Sequence, residues 1–241
     1  MSKTHLFLSP HFDDVVGSCG GFISRLSENG EKVHILTIFG GDALLPLSEL
    51  ANELHSIWGS KTIVTTRRNE DILACKKLGA ISNFLPFPDS IYRQNSLGEH
   101  LYLTIQDFRT LQKQEDDHLP LDILCSIKAN HNISSAIIYC PMANGNHVDH
   151  ILTQKVGLLL KNEGYNVILY QDFYYEHDDN KIFNRFLLKR ININLSDKEL
   201  TSKINAFKCY KSQIICLFES WDSMEDYFRT VGSIETFAFF R

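Results

Sequence analysis

At 241 residues, with 44% hydrophobic and 22% charged side chains, the chain has the makeup of an ordinary globular protein, which excludes disordered and fibrous classes. Its formal net charge of −5 excludes a broad nucleic-acid or acidic-membrane footprint, since both need clustered Lys and Arg. Six cysteines lack C-x-x-C spacing, the opening stretch is too polar for a signal peptide, and no apolar run approaches the ~18 residues of a membrane span, so a cytoplasmic protein with reduced thiols is expected.

"HLFLS" (5–9) reads as a buried strand ended by Pro10. The stretch from Gly20 to Leu26, with Phe22, Ile23 and Leu26 at helical spacing, reads as a helix stopped by Asn29-Gly30. "KVHILTIF" (32–39) is a second, β-branched strand that opens into Gly40-Gly41. Helical patterns over 48–58 and 67–78 follow, and then a strand-like "ISNFLPF". Residues 89–117 are polar and irregular, the profile of a specificity lid. Beyond them come a helix "LDILCSIKANHN", a strand "SSAIIYC", a loop "PMANGNH", a helix "VDHILTQKVGLLLKNEG" closed by Gly164, and a strand "NVILY". The last helix, "DKELTSKINAFKCYKSQ", is capped by Asp197 and precedes a short aromatic-rich segment. Without repeats or a linker, residues 1–241 are expected to form one domain. The alternation predicts an α/β fold, a Rossmann-like three-layer sandwich around a mainly parallel sheet. Its site is expected at the C-terminal ends of the strands, where the chain order reverses.

Two predicted loops occupy such positions, and both are rich in His and Asp. After the first strand stand His11, Asp13 and Asp14; after "AIIYC" stand His147, Asp149 and His150. Two imidazoles and one carboxylate suit a three-ligand zinc with a position left for water, the open arrangement of catalytic sites. A structural zinc would want a fourth ligand, usually sulfur, and no cysteine lies inside either cluster. Gly20 and Gly21 are expected to let the backbone pass close to this site. The residues alone leave other readings open: another metal-dependent hydrolase, an amidase or a phosphoesterase whose paired carboxylates bridge two metals, and a non-catalytic sugar-binding or partner protein.

"PHFDDVVGSCGG" followed by "GNHVDH" resembles the PIG-L/LmbE family of zinc-dependent N-deacetylases, whose motifs are His-Pro-Asp-Asp and His-Pro-Asp-His. "RRNEDILACKKLGA" is similar to the family's Arg-x-x-Glu helix, "FLPFPD" to its strand and aspartate loop, "KINAFKCYKSQ" to its late Ser-Gln helix, and "SIETFAFFR" to its terminal segment. The resemblance implies His11, Asp14 and His150 as zinc ligands, Asp13 as general base, and His147 as the imidazolium that steadies the oxyanion, oriented by Asp149. It also implies Arg67 and Asp89 as holders of substrate hydroxyls, on a rim to which Tyr92, Tyr174 and Tyr175 are candidates. The implied activity is removal of an acetyl group from an N-acetylated sugar or glycoconjugate of the N-acetylglucosamine type. The implied cofactor is zinc, with Fe2+ as the alternative that metal availability decides. Phe12 and Val148 replace the motif prolines and Val15 a common Glu. These departures leave every ligand in place and bear on subfamily and substrate.

Overall fold

Apolar, β-branched segments buried on both faces form the strands at the centre of the sheet, as parallel strands covered by helices require. The computed structural model describes residues 2–59, 62–110, 112–173 and 188–240. Among these, β1 (Thr4–Ser9), β2 (Lys32–Thr37), β3 (Ile81–Phe84), β4 (Ile137–Pro141), β5 (Asn166–Tyr170), β6 (Leu188–Asn194) and β7 (Ile234–Phe240) make one sheet in the order β3-β2-β1-β4-β5-β7-β6. The first five are parallel, with Phe7 opposite Ile35 on one side and Tyr139 on the other. β7 runs antiparallel to both β5 and β6. The chain builds outward from β1 through β2 to β3, then returns to start β4 on the other side of β1. The carboxyl ends of β1 and β4 are therefore neighbours at the point of reversal.

The helices are α1 (Asp14–Glu28), α2 (Glu49–Ile57), α3 (Ile63–Lys77), α4 (Ile105–Thr110), α5 (Leu119–Asn130), α6 (Val148–Asn162), α7 (Asp197–Phe207), α8 (Lys211–Phe218) and α9 (Trp221–Thr230). α1 begins at Asp14, earlier than the expected Gly20, so the His-Asp-Asp sequence is the turn into a helix and not an open loop. The paired glycines serve packing instead of the site. A Cβ on Gly20 would come within 3.0 Å of Lys203, and one on Gly21 within 2.4 Å of Leu195. Their bareness lets α1 lie against α7, and Arg25 closes the contact with Nε and Nη2 donating to Glu199 at 2.5 and 2.8 Å. Glu235 on β7 adds a second tie, accepting from the backbone N–H groups of Gly21 and Phe22 at 2.9 and 2.8 Å while Lys203 Nζ lies 2.9 Å away.

Three boundaries differ from expectation for identifiable reasons. Ser196, not Asp197, caps α7: its hydroxyl accepts from Glu199 N–H while the Glu199 carboxylate accepts from Ser196 N–H, a capping box. The helix expected to run on to Gln213 breaks after Phe207, because Glu70 of α3 captures the next start, accepting from Ser212 N–H at 3.0 Å and its hydroxyl at 2.6 Å. β6 lies at the sheet edge with most side chains exposed, so it lacks the apolar run of a buried strand. No helix among the described residues is long and apolar enough to cross a membrane.

Two outcomes follow from this packing. A Cβ on Gly157 of α6 would meet Cys140 Sγ of β4 at 2.1 Å, so Gly157→Ala is expected to lower stability by about 1–3 kcal/mol through overpacking; an unchanged urea midpoint would refute this. Asp71 is pushed up to about 7 by burial, against hydrogen bonds from Tyr210 and Cys75, with Asp13 nearby adding to the rise and Arg67 opposing it. A folded value above the ordinary one stabilises fully below pH ~4 and is lost as pH climbs through ~7. Asp71→Asn should therefore gain unfolding free energy relative to wild type between those limits, and a difference that stays flat with pH would contradict the assignment.

Candidate metal centre and active site

Ser9, at the end of β1, shapes the first half of the site. Its hydroxyl donates to His11 O at 2.5 Å and accepts from Val15 N–H at 3.2 Å, drawing the turn tight. His11 N–H donates to Asp14 Oδ2 at 2.7 Å, so the first residue of α1 turns its carboxylate back over the turn. Asp13 occupies the N-cap position, yet its side chain caps nothing. It lies in the wall of a cavity and accepts from Arg67 Nη2 at 3.2 Å.

The second half comes from β4. Ala143, Gly145 and Asn146 take φ values of 59°, 80° and 58°, a tight left-handed path that delivers His147 to the N-cap of α6. There His147 Nδ1 accepts from Asp149 N–H at 3.2 Å. An accepting Nδ1 leaves the ring proton of the neutral form on Nε2.

His11 Nδ1 and His150 Nε2 stand 3.2 and 3.3 Å from the same oxygen, Asp14 Oδ2. One ligand atom from each of these three residues lies within 4.8 Å of the others. The far nitrogens are held by carboxylates: His11 Nε2 by Asp149 Oδ2 at 3.0 Å and His150 Nδ1 by Asp172 Oδ1 at 2.5 Å. Metal-ligating imidazoles are characteristically fixed in this way. The donor set thus fits a divalent cation bound by two nitrogens and one oxygen. His11, His147 and Asp149 form a second close group that shares His11 with the first. Both Asp149 oxygens are already engaged, Oδ1 by Arg93 Nη1 at 2.6 Å and Oδ2 by Ser90 N–H at 3.0 Å.

The electrostatics follow from crowding carboxylates and imidazoles out of water. Burial works against an ionised Asp14, but the charge of His150 and hydrogen bonds from both rings outweigh it and hold the carboxyl well below the usual range. His11 is driven the other way, up to about 10, because Asp89, Asp14 and Asp149 overcome its burial. Asp13 is raised by burial, with Asp14 adding to the effect and Arg67 opposing it.

Two expectations are corrected by these surroundings. The Asp149 carboxylate turns toward Arg93 and His11 at the start of α6, and the hydrogen bond to His147 comes from the Asp149 backbone N–H, while the carboxylate charge acts on the ring from close by. His147 is also not favoured as an imidazolium, since burial first and then the neighbouring His11 and His150 press its pKa well below normal.

Arg67 and Asp89 both line the cavity. The Arg67 guanidinium lies 5.1 Å over Trp58 and 5.5 Å over Phe12, and it meets Asp13. Arg68 instead donates to Gly40 O and lies against Asp42. Asp89 accepts from Ile91 N–H, with its second oxygen 3.7 Å from His11 Nε2. Tyr92 is buried and bonds His55 Nε2 at 2.7 Å, so it is a packing residue and not part of a rim. Tyr174 and Tyr175 lie outside the described residues. Ile105 and Phe108 of α4, with Trp58, Phe173 and Leu217, give the cavity apolar walls above its charged floor.

Sequence reasoning missed Asp172 and Arg93. Asp172 stands two residues beyond β5, another parallel strand ending at the same edge, and that position was its available signal. Arg93 sits in a polar stretch that gives no such signal.

The family described as PIG-L: GlcNAc-PI de-N-acetylase matches residues 6–161, a span that holds both His-Asp clusters. The 2'-N-acetylparomamine deacetylase of Niallia circulans is 30% identical over 193 residues, covering 74% of this chain and 70% of that protein. The zinc inhibited form of teicoplanin deacetylase Orf2 superposes with a TM-score of 0.81 at 25% identity, over 98% of this chain and 97% of that one. The A40926 pseudoaglycone deacetylase Dbv21 superposes with a TM-score of 0.74 at 26% identity, over 98% and 96% of the two chains. With a fold, a family match and relatives that agree, the chain belongs to the PIG-L (GlcNAc-PI de-N-acetylase) family and is an amide-hydrolysing enzyme.

Proposed function

We propose that this enzyme removes the acetyl group from an N-acetylated amino sugar or its glycoconjugate, with His11, Asp14 and His150 holding one zinc ion, or Fe2+ where that metal prevails. The observation that carries the reading is Asp13: a buried carboxylate that caps nothing, faces the cavity, and adjoins Asp14, whose oxygen lies between two imidazoles. The names of the relatives support the substrate class: a 2'-N-acetylparomamine deacetylase, a teicoplanin deacetylase and an A40926 pseudoaglycone deacetylase, in a family described by GlcNAc-PI de-N-acetylation.

A divalent cation in this position supplies Lewis-acid polarisation of the acyl carbonyl and acidifies a water. The protein's residues do the remainder. Asp13 takes the proton of the attacking water, and Arg67, 3.2 Å away, keeps the carboxylate aimed while leaving its second oxygen available. A raised pKa suits a base that must accept a proton near neutral pH. His147 donates a hydrogen bond from Nε2 to the developing oxyanion, its other nitrogen being fixed by the start of α6, and the proton that Asp13 takes from the water passes on to the departing amine. Asp89 and Arg67 offer an acceptor and a donor to sugar hydroxyls at the cavity floor. This reading puts the site at the carboxyl ends of β1 and β4, and Ile105 and Phe108 of the 89–117 segment line its cavity.

The division between ligands and base gives opposite expectations for neighbouring residues. Asp13→Ala should keep its metal and lose about 10²–10⁴-fold in turnover, whereas His150→Ala should lose the metal itself. Equal metal loss by elemental analysis in the two variants would overturn the assignment. Removing metal with a chelator should abolish acetate release from N-acetylglucosamine compounds, and one equivalent of zinc should restore it. A stoichiometry of two metals per chain would favour a bridged two-metal hydrolase, and tight sugar binding without acetate release would favour a non-catalytic protein.

A further inference from the structure

Arg93 is the most deeply buried guanidinium near the site, 4% exposed. It lies 5.2 Å over each of the Phe39 and Tyr102 rings. Nη1 donates to Asp149 Oδ1 at 2.6 Å and Nη2 lies 3.1 Å from Asp116 Oδ2. Asp116 is itself fixed, accepting from the Tyr102 hydroxyl at 2.6 Å. Arg93 is thus clamped before it meets Asp149. The other Asp149 oxygen accepts from Ser90 N–H and faces His11 Nε2, both at 3.0 Å. A continuous line of polar contacts therefore runs from Asp116 through Arg93 and Asp149 to the outer nitrogen of His11.

We infer that Arg93 is a positioning residue that, through Asp149, fixes the His11 ring with Nδ1 turned toward Asp14 and His150. The inference rests on the proposed role of His11 as a metal ligand. Asp149 is fully buried, so its orientation is set by the groups around it, and the Arg93 guanidinium is the permanently charged donor among its described contacts, beside Ser90 N–H and the His11 ring. Without that guanidinium the carboxylate turns, and the His11 ring loses the acceptor that selects its rotation. The segment 89–117 then acts at the site as a strut. Two of its residues, Ser90 and Arg93, hold the carboxylate that holds the ligand, while Asp116 holds Arg93 from the far end.

The test is the affinity for Zn2+, measured by chelator competition on the folded apo-protein. Arg93→Met is expected to weaken binding by about 10–100-fold, the usual effect of removing a partner behind a metal ligand. Arg93→Lys keeps the cation but reaches one carboxylate at a time, so its loss should be smaller. Asp149→Asn should weaken binding comparably to Arg93→Met. The double variant should be little worse than either single, because both break one line of contacts. A residue important only for folding would lower the unfolding midpoint and leave the Zn2+ affinity of the folded fraction unchanged. Wild-type affinity in Arg93→Met, or losses that add in the double variant, would overturn the inference while leaving the metal site intact. Should Arg93→Met not fold, Arg93→Lys with Asp149→Asn carries the same cycle. A wild-type chain that binds no Zn2+ would overturn the metal reading itself, a distinguishable failure.

Discussion

One oxygen atom joins the two halves of this protein's chemistry. Asp14 Oδ2 accepts from the backbone of His11 and stands about equally far from the His11 and His150 rings. The residues come from opposite sides of the strand-order reversal, and without the adjacent parallel pairing of β1 and β4 they would not meet. In water, imidazoles and carboxylates at such distances interact weakly; taken out of water, each depends on the others for its charge state. Burial therefore makes the cluster mutually dependent. A cation among His11, Asp14 and His150 would take over the neutralising work that protons on the rings do in its absence.

Three further carboxylates hold the charged floor of the cavity. Asp172 fixes His150, Asp149 fixes His11, and Asp71 ties α3, which carries Arg67, to Tyr210. Each hydrogen bond is modest by itself. Their shared effect is geometric, since a ring or guanidinium with one edge fixed presents its other edge in one direction. Glu70 extends the pattern to α8, whose Leu217 reaches the apolar wall.

Much of this was legible in the sequence. The two His-Asp clusters could be read because each follows an apolar run that becomes a buried strand, and β1 and β4 pair side by side. The supporting shell could not be read in the same way. Arg93 and Asp116 are ordinary polar residues in an irregular stretch, and only tertiary packing buries them. The early start of α1 was hidden by its glycines, which signal flexibility in isolation but here make room for Lys203 and Leu195. β6 was missed because an edge strand need not be apolar, and the break after α7 because it depends on Glu70, distant in sequence.

The grip of Glu235 on α1 bears on how the chain comes to be folded. Its carboxylate meets Gly21 and Phe22, more than 200 positions earlier in the sequence, and β7 is made last among the described strands. During synthesis the helix that begins at Asp14 therefore emerges long before the strand that secures it. Contacts of such sequence separation are slow to form and leave partly built sheets exposed meanwhile. The first helix of the chain waits on its last described strand.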